Sequence, residues 1–496
     1  QQKLTFRDLQ DIISNLRGRL YNTMFDTSKV MRYDEIIEPL LEIRSVLIEK
    51  YHKLYLKDLD YLIDKVKIFK THFATLDIRQ DHSVHTQVVE AILKTNGLIS
   101  ENIGELNKQE LIDILIHKDI DLQVQNYEED IVKETIQNIL QLRGIQEKNG
   151  EEGCNRYVIS NSESVFSVLF VYGLFRWCGW ESDKISFDII PLFETMKGME
   201  SSENTMNELF DLPEYKKHLA QRHNKQTIML GFSDGTKDGG YVKANWEIFK
   251  TKEKLSAVCD RNDIKAIFFD GRGGPPARGG GKTHRFYAAQ TKDIANNEIQ
   301  LTIQGQTITS TYGTKEQFIH NSEQLLTAGL SNNFFGKENV ISKESRQLLE
   351  ELSDLSFEKY DALKNHDKFI AYLENKSTLK YYQKANIGSR PGKRGHKKKL
   401  ELTDLRAISF VGSWSQLKQN VPGYFGIGTA IKILKDQGKL EDLKKLFKEV
   451  PLFKALMLNS MMSLAKCYFE LTSYMKDDVE YGEFWNILYE EYLLSK

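Results

Sequence analysis

The sequence predicts an α/β protein that is mostly helical overall and built on a (β/α)8 barrel. Three observations support this fold. Short apolar runs rich in Ile, Phe, Val or Leu recur along the chain, each run ends in charged, amide or hydroxyl residues, and helical segments lie between the runs. Strand, polar tip and helix in repeated order are typical of parallel βα units. Polar residues at the carboxyl ends of the strands are where a barrel of this type keeps its site.

Seven runs have this form, whereas eight strands close such a barrel. The runs cover residues 73–80, 156–161, 185–195, 226–234, 264–274, 299–306 and 405–414. An isolated set of seven strands would leave two unpaired edges. We therefore expect either a further strand in the helical first part or a chain from which one barrel strand is missing.

The helical parts of the sequence predict three regions. Residues 1–70 carry Leu, Ile, Tyr, Lys and Glu at helical spacing and form a helical lead-in. Residues 71–430 carry the barrel strands and helices, with a helical insertion over about 321–384. Residues 431–496 are expected to form C-terminal helices that pack on the barrel.

Composition is that of an ordinary soluble protein, and we expect a cytoplasmic one. Hydrophobic residues make up 40% and charged residues 28% of the 496 residues. The formal net charge of −2 argues against nucleic acid or an anionic membrane as a partner. The four scattered cysteines lack zinc-site spacing and fit a reducing compartment. No apolar run approaches the roughly 18 residues of a membrane span.

A glycine-rich stretch, GRGGPPARGGGK at residues 271–282, directly follows the fifth apolar run. Glycines allow positive φ and bring backbone N–H groups close to a ligand, which makes a concave anion site. Arg272 and Arg278 add two rigid guanidinium groups that suit carboxylate or phosphate. The alternative is a flexible linker, but linkers favour Gly with Ser and rarely carry two arginines behind a buried strand. The stretch therefore favours an anion site.

Two acids lie at predicted strand ends, Glu194 after DIIPLF and Asp234 after IMLGFS. Carboxylates on neighbouring strands converge at a barrel mouth, and two of them with water suit Mg²⁺ or Mn²⁺. A single acid at a strand end is more often a helix cap or an ion-pair partner. Lys237 follows Asp234 by three residues in a glycine-flanked turn. It would hold a phosphate, carry a proton or simply lie at the surface.

Four arginines lie at or just past strand ends or in glycine-proline turns: Arg79, Arg272, Arg278 and Arg390. Around one mouth with a metal, they would form a site for a small, highly charged anion. Three histidines lie near these motifs, where a structural role is the commoner one: His82, His85 and His284. The basic run Lys393–Lys399 predicts a solvated loop. Its alternative role is to attract an anionic substrate to the mouth.

These motifs resemble those of phosphoenolpyruvate carboxylase, from about Thr5 to Lys466. The specific pieces, in order, are LDIRQ, PLFET, GFSDGTKDGG, GRGGxxxRGGG, SRPGKR and LRAISFVGSWSQ. The resemblance implies a large helical protein on a (β/α)8 barrel, usually a tetramer. It also implies an enzyme that joins bicarbonate to phosphoenolpyruvate with Mg²⁺ or Mn²⁺, giving oxaloacetate and phosphate.

The resemblance further implies a role for each residue of the predicted site. The metal ligands are Glu194 and Asp234, the phosphate-binding residues are Arg79, Arg272 and Arg390, and the residues near the reacting groups are Lys237 and Arg278. The implied reaction passes through carboxyphosphate and a metal-bound enolate. The metal stabilises the developing enolate charge, and the glycine loop keeps water away from carboxyphosphate.

The sequence departs from the family pattern at several positions. The family's TAHPT motif, with its histidine, is absent, and Asp270 stands where the family usually has histidine. Lys466 resembles a lysine of the family's inhibitory aspartate site, although the family's terminal Asn-Thr-Gly is absent. We therefore expect a carboxylase fragment that lacks the N-terminal part, binds phosphoenolpyruvate and metal, and turns over poorly alone. The alternatives are a non-catalytic module for phosphorylated metabolites, a partner-dependent scaffold, or another barrel enzyme of the phosphoenolpyruvate and pyruvate group.

Overall fold

A computed structural model describes residues 6–26, 28–295, 297–303, 305–334, 340–382, 402 and 405–496. These residues are mostly helical, and their six strands form one parallel sheet in the order β1-β2-β3-β4-β5-β6. The strands are β1 (Asp77–Asp81), β2 (Arg156–Ser160), β3 (Asp188–Phe193), β4 (Lys225–Leu230), β5 (Lys265–Asp270) and β6 (Ile299–Leu301). The prediction of an α/β protein with parallel βα units is confirmed, whereas the closed barrel stays a prediction.

The chain divides into two compact units. The first consists of Gln1–Ile159, Phe166–Ile190 and Ala220–Arg222. Its helices are α1 (Arg7–Phe25), α2 (Tyr33–Lys50), α3 (Leu56–Phe69), α4 (His82–Thr95), α5 (Lys108–His117), α6 (Asp130–Asn149) and most of α7 (Val165–Trp177). Apolar residues at helical spacing on α1, α2 and α3 meet in a small core that includes Leu16, Leu40 and Ile63. The sequence-based division into three regions stays a prediction.

The second unit consists of Ser160–Val165, Pro191–Leu219 and His223–Lys496. In the chain, β3 is followed by α8 (Met196–Asp211) and α9 (Pro213–Gln221), of which the last two residues belong to the first unit, and β4 is followed by α10 (Phe232–Gly239) and α11 (Tyr241–Arg261). The later helices are α12 (Thr283–Ala288), α13 (Gly305–Tyr312), α14 (Lys315–Phe334), α15 (Lys343–Lys364), α16 (Phe369–Lys376), α17 (Leu379–Tyr382), α18 (Ala407–Gln416), α19 (Ile427–Asp436), α20 (Leu440–Glu449), α21 (Pro451–Leu464) and α22 (Gly482–Ser495). An aromatic core that includes Tyr372, Trp414 and Phe484 packs several of them together.

The register of the sheet aligns the carboxyl ends of the last four strands. Phe193 pairs with Leu230, Leu230 with Asp270, and Asp270 with Leu301. Whatever follows these strand ends therefore lies along one rim of the sheet. The loops and helix starts at this rim position the predicted site.

The seventh predicted strand, residues 405–414, is wrong. Leu405 makes a single β-bridge, and α18 then begins at Ala407. Ala407, Phe410, Val411 and Trp414 are buried, and their spacing is that of one helix face. A short apolar run does not by itself distinguish a buried strand from a buried helix.

None of the helices in the described ranges combines the length and the apolar character that a membrane crossing needs.

Candidate functional site

Glu194 lies at the rim directly after β3 and is buried, at 5% exposure. The backbone N–H of Asn161 donates to its Oε1 at 3.1 Å. Thr195, not Glu194, caps the next helix, since its side chain accepts from the N–H of Gly198. The alternative role of Glu194 as a helix cap is therefore not the one the structure shows.

Gly231 faces Glu194 from the neighbouring strand end. A Cβ added at Gly231 would come closer to the Cβ of Glu194 than two carbon atoms can approach. Glycine is therefore required for β4 to lead into α10 beside this carboxylate. The first turn of α10 also packs against Glu194. A Cβ at Gly235 would lie 3.6 Å from the carbonyl oxygen of Glu194.

Asp234 and Lys237 lie on α10, so the prediction that GTKDGG forms a turn is wrong. Asp234 occupies the first turn of α10, while Gly231 takes the N-cap position. The spacing of three residues places Lys237 on the same face, with its Nζ 3.3 Å from Asp234 Oδ1. Lys237 is buried and also donates to the carbonyl of Leu405 at 2.8 Å. The ion-pair alternative for Asp234 is thus realised within its own helix.

The glycine-rich stretch folds back on itself. The N–H of Gly273 donates to the carbonyl of Arg278 at 3.0 Å, and the N–H groups of Arg278 and Gly280 donate to the carbonyl of Pro275. A Cβ at Gly280 would overlap the carbonyl of Gly274, so this closed form depends on glycine there. The loop's own carbonyls therefore accept from these three N–H groups. The anion site over the whole stretch stays a prediction.

The guanidinium of Arg272 is buried against aromatic rings. Its Cζ lies 4.2 Å from the ring centre of Phe286 and 5.9 Å from that of Phe232. Burial lowers the pKa of Arg272, and the negative charge of Asp270 partly opposes that shift. The Nε of Arg272 has no hydrogen-bond acceptor among the residues that the structure describes. A planar cation held over a ring in this way is suited to an incoming phosphate or carboxylate.

Arg278 is buried at the other end of the loop, in the short 3-10 turn Pro276–Arg278. Burial lowers the pKa of Arg278, and the charge of Asp234 raises it again. Arg278 is therefore within electrostatic reach of Asp234. The structure thus brings Glu194, Asp234, Lys237 and Arg278 to neighbouring parts of one unit.

The other predicted site residues lie elsewhere or outside the described residues. Arg79 is on β1 in the first unit, where its Nη2 lies 3.1 Å from Asp77. Lys466 follows α21 and lines a cavity of about 240 Å³ with Pro276 and Ala277 of the glycine loop. Arg390 and the basic run Lys393–Lys399 lie outside the described residues.

Two of the three histidines have contacts that support a structural role. His82 stacks on Phe170 with ring centres 5.6 Å apart. His85 is fully buried, lies 2.9 Å from the hydroxyl of Tyr157, and has its pKa lowered to about 3 by burial. His284 differs, since it lines a cavity of about 430 Å³ that Arg272 also lines.

Lys252 on α11 is a charged residue of this region that the sequence patterns did not predict. Its side chain is 1% exposed, and its Nζ lies 2.8 Å from Oδ2 of Asp270. The pattern that could have revealed it is its position on α11, three residues after Phe249 and three before Leu255, both buried. A lysine on a buried helix face needs a partner charge.

Among the described residues, the side chains proposed to hold a metal are two carboxylates, Glu194 and Asp234. They contain no group of three or more His, Cys, Asp or Glu side chains that could hold an ion. Mg²⁺ commonly binds through one or two carboxylates and keeps water and substrate oxygens as its other ligands. The donors offered by Glu194 and Asp234 are compatible with that mode, and not with a fully enclosed protein cage.

Gly231→Ala is expected to destabilise the protein by about 1–3 kcal/mol, because the new methyl group must push Glu194 out of its place. Urea unfolding followed by circular dichroism measures this change. The control is Gly144→Ala on α6, where no atom lies within 4 Å of the new Cβ. That control should gain about 0.5–1 kcal/mol from its better helix propensity. Equal stability of Gly231→Ala and the parent would contradict the packing described here for Glu194.

A family model and a curated relative that match this chain carry the same name. The sequence model of the family described as Phosphoenolpyruvate carboxylase matches residues 6–493. A curated relative with the name Phosphoenolpyruvate carboxylase, from Nitrosomonas eutropha, is 32% identical over 441 residues. The match covers 86% of this chain and 47% of the relative, so the chain spans about half of that relative's length.

Proposed function

Because the chain belongs to the phosphoenolpyruvate carboxylase family, we propose that it takes part in joining bicarbonate to phosphoenolpyruvate, with oxaloacetate and phosphate as products. The six parallel strands are proposed to belong to a (β/α)8 barrel with its site at the rim. The complete activity is proposed for this chain together with a part that corresponds to the rest of its longer relative. By resemblance, that enzyme would be a cytoplasmic tetramer.

One observation carries the proposal: Glu194 and α10, with Asp234 in its first turn, pack directly against each other. Two carboxylates, one directly after β3 and one in the first turn of the helix after β4, can hold a divalent ion that keeps water and substrate oxygens as its other ligands. We propose that Glu194 and Asp234 hold Mg²⁺ or Mn²⁺ together with water and substrate oxygens. The bound ion would supply positive charge for the enolate oxygen.

The cationic side chains would divide the remaining work. Arg272, which lies over the ring of Phe286, is proposed to bind the phosphate of phosphoenolpyruvate, and by resemblance Arg79 and Arg390 would share that phosphate. Bicarbonate attacks the phosphoryl group, which gives carboxyphosphate and the enolate of pyruvate. Carboxyphosphate then releases CO₂ and phosphate, and the enolate captures the CO₂.

Two buried cations near Asp234 are assigned to the carboxylating half of this reaction. Arg278 is proposed to hold carboxyphosphate and the CO₂ formed from it. The Nζ of Lys237 lies 3.3 Å from Asp234 Oδ1. We propose that Lys237 gives up this contact and neutralises the charge of the bicarbonate-derived group. The closed glycine loop would keep water away from carboxyphosphate.

Lys466 is proposed, by resemblance, to bind a carboxylate of a feedback inhibitor. The cavity of about 240 Å³ that it shares with Pro276 and Ala277 supports this assignment. An inhibitor there would touch the same loop that carries Arg272 and Arg278. It would therefore act by holding that loop in one form.

A non-catalytic module for phosphorylated metabolites, or a partner-dependent scaffold, is the second candidate. It is favoured by one observation: Lys237 already neutralises Asp234. Such a module would bind the metabolite through its arginines and would not need a metal.

Binding of phosphoenolpyruvate is expected to require the metal. Isothermal titration of the purified chain with phosphoenolpyruvate, with Mn²⁺ and again with excess chelator, measures this directly. Binding that needs Mn²⁺, with slow turnover in an assay coupled to malate dehydrogenase, is the expected result. Equal binding with and without Mn²⁺ would favour the non-catalytic module. Full specific activity of the chain alone would contradict the expectation that turnover needs the histidine of the family's TAHPT motif.

A further inference from the structure

A buried ion pair lies at the base of the glycine loop. Asp270 is the last residue of β5, and its side chain and that of Lys252 are 0% and 1% exposed. The Nζ of Lys252 and the hydroxyl of Tyr287 both donate to Oδ2 of Asp270, at 2.8 and 2.7 Å. Oδ1 of Asp270 is buried too, and no described residue donates a hydrogen bond to it.

Stability does not account for this pair. Removing two charges from water costs more than their attraction usually returns, and well-packed apolar residues often replace such pairs without loss. Buried charges of this kind are retained in some proteins because they specify a geometry. The position of Asp270 suggests which geometry, because Arg272 follows two residues later.

The pair and Arg272 share an aromatic ring. Phe286 of α12 lies with its ring centre 5.3 Å from the Nζ of Lys252 and 4.2 Å from the Cζ of Arg272. The two cations therefore flank one ring, and Asp270 supplies the only negative charge that the described contacts give to this cluster. One positive charge is left over among these three side chains. A buried site with that balance is suited to an anion rather than to a neutral ligand.

We propose that Lys252 and Asp270 are positioning residues for Arg272: together they fix its guanidinium over Phe286 and set the charge with which it meets the substrate phosphate. This inference rests on the proposed function only for the identity of the phosphate. Substitution at position 270 alone would then leave Lys252 buried without its partner.

The test uses Asp270→Asn and the double variant Lys252→Met with Asp270→Asn. The double variant removes both charges of the pair and leaves no unpaired charge buried. Asp188→Asn is the control, because it breaks an ion pair with Arg222 (2.7 Å) in the first unit. Circular dichroism shows whether each variant is folded.

Two readouts are needed. The first is titration with phosphoenolpyruvate in the presence of Mn²⁺, in which Asp270→Asn should bind about 10- to 100-fold more weakly, as expected when a residue that orients a ligand group is lost. The second is the rate at which phenylglyoxal modifies Arg272, followed by peptide mass spectrometry. That rate should rise in Asp270→Asn and also in the double variant, because neither keeps the ion pair, and both variants should bind phosphoenolpyruvate more weakly than the parent. Asp188→Asn should change neither.

An unchanged phenylglyoxal rate in Asp270→Asn would overturn the inference, as would unchanged phosphoenolpyruvate affinity in a folded variant. If the parent binds no phosphoenolpyruvate, the proposed function fails, and the modification rate of Arg272 still decides the positioning role. If Asp270→Asn does not fold, the double variant decides: modification of Arg272 faster than in the parent supports the inference, and an unchanged rate contradicts it.

Discussion

Lys252→Met is expected to lower the free energy of unfolding by about 3–5 kcal/mol, the usual loss when one partner of a buried ion pair is removed. Asp270 would keep only the hydrogen bond from Tyr287, and its carboxylate would remain in the interior without the cation that contacts it directly. Methionine has nearly the volume of the lysine stem, so the loss would reflect the charge and not a cavity. Urea unfolding at neutral pH measures the change.

The double variant Lys252→Met with Asp270→Asn should recover much of that loss, because no unpaired charge is then buried. The control is Lys265→Met, which removes an ion pair to Glu298 whose two side chains are 43% and 38% exposed. An exposed pair of that kind contributes about 0–1 kcal/mol. A loss in Lys252→Met no larger than in Lys265→Met would contradict the buried pairing.

Strands β2 to β5 could be predicted from the sequence because strands buried on both faces appear as nearly continuous apolar runs. The polar residues that end two of these runs predicted Glu194 and Asp234 as neighbours. The same reasoning failed for residues 405–414, where Phe410 and Trp414 belong to a buried helix. Burial on all sides removes the polar residues that would have revealed the helical period.

The glycines of α10 show a second limit of sequence reasoning. Gly231, Gly235 and Gly239 recur every four residues, and a Cβ at each would meet Glu194, Met199 and Met196 respectively. They line one helix face and allow close packing, although glycine clusters in a sequence usually indicate turns. Only the packed neighbours distinguish the two uses. The four-residue spacing was the one sign available in the sequence.

The glycine loop and Lys252 show a third limit. A run of glycines predicts backbone freedom, but not which carbonyl will accept each N–H, and in this loop Arg278 and Pro275 provide the acceptors. Lys252 lies 18 residues before Asp270 on another element. Such pairing depends on how α11 packs against β5, which no local pattern encodes.

Asp234→Asn is expected to weaken Mn²⁺ binding on the order of 100-fold, because it removes one of the two carboxylate charges proposed to hold the ion. Phosphoenolpyruvate binding should fall with it, since the substrate is proposed to bind through the metal. The fold should be retained, because Lys237 loses its ion pair but keeps its hydrogen bond to the carbonyl of Leu405, and the Asp234 side chain is 24% exposed. Loss of its favourable position at the helix N-terminus costs about 0.3–1 kcal/mol.

Titration with Mn²⁺ followed by electron paramagnetic resonance of the free ion measures the affinity, and Asp260→Asn, exposed near the end of α11, is the matched control. A companion variant, Lys237→Met, removes the cation that contacts Asp234. If Lys237 competes with the ion for Asp234 across their 3.3 Å contact, Lys237→Met should bind Mn²⁺ more tightly than the parent. Unchanged Mn²⁺ affinity in Asp234→Asn would remove Asp234 from the metal site, and arginine-based binding without a metal would then be the better account of this rim.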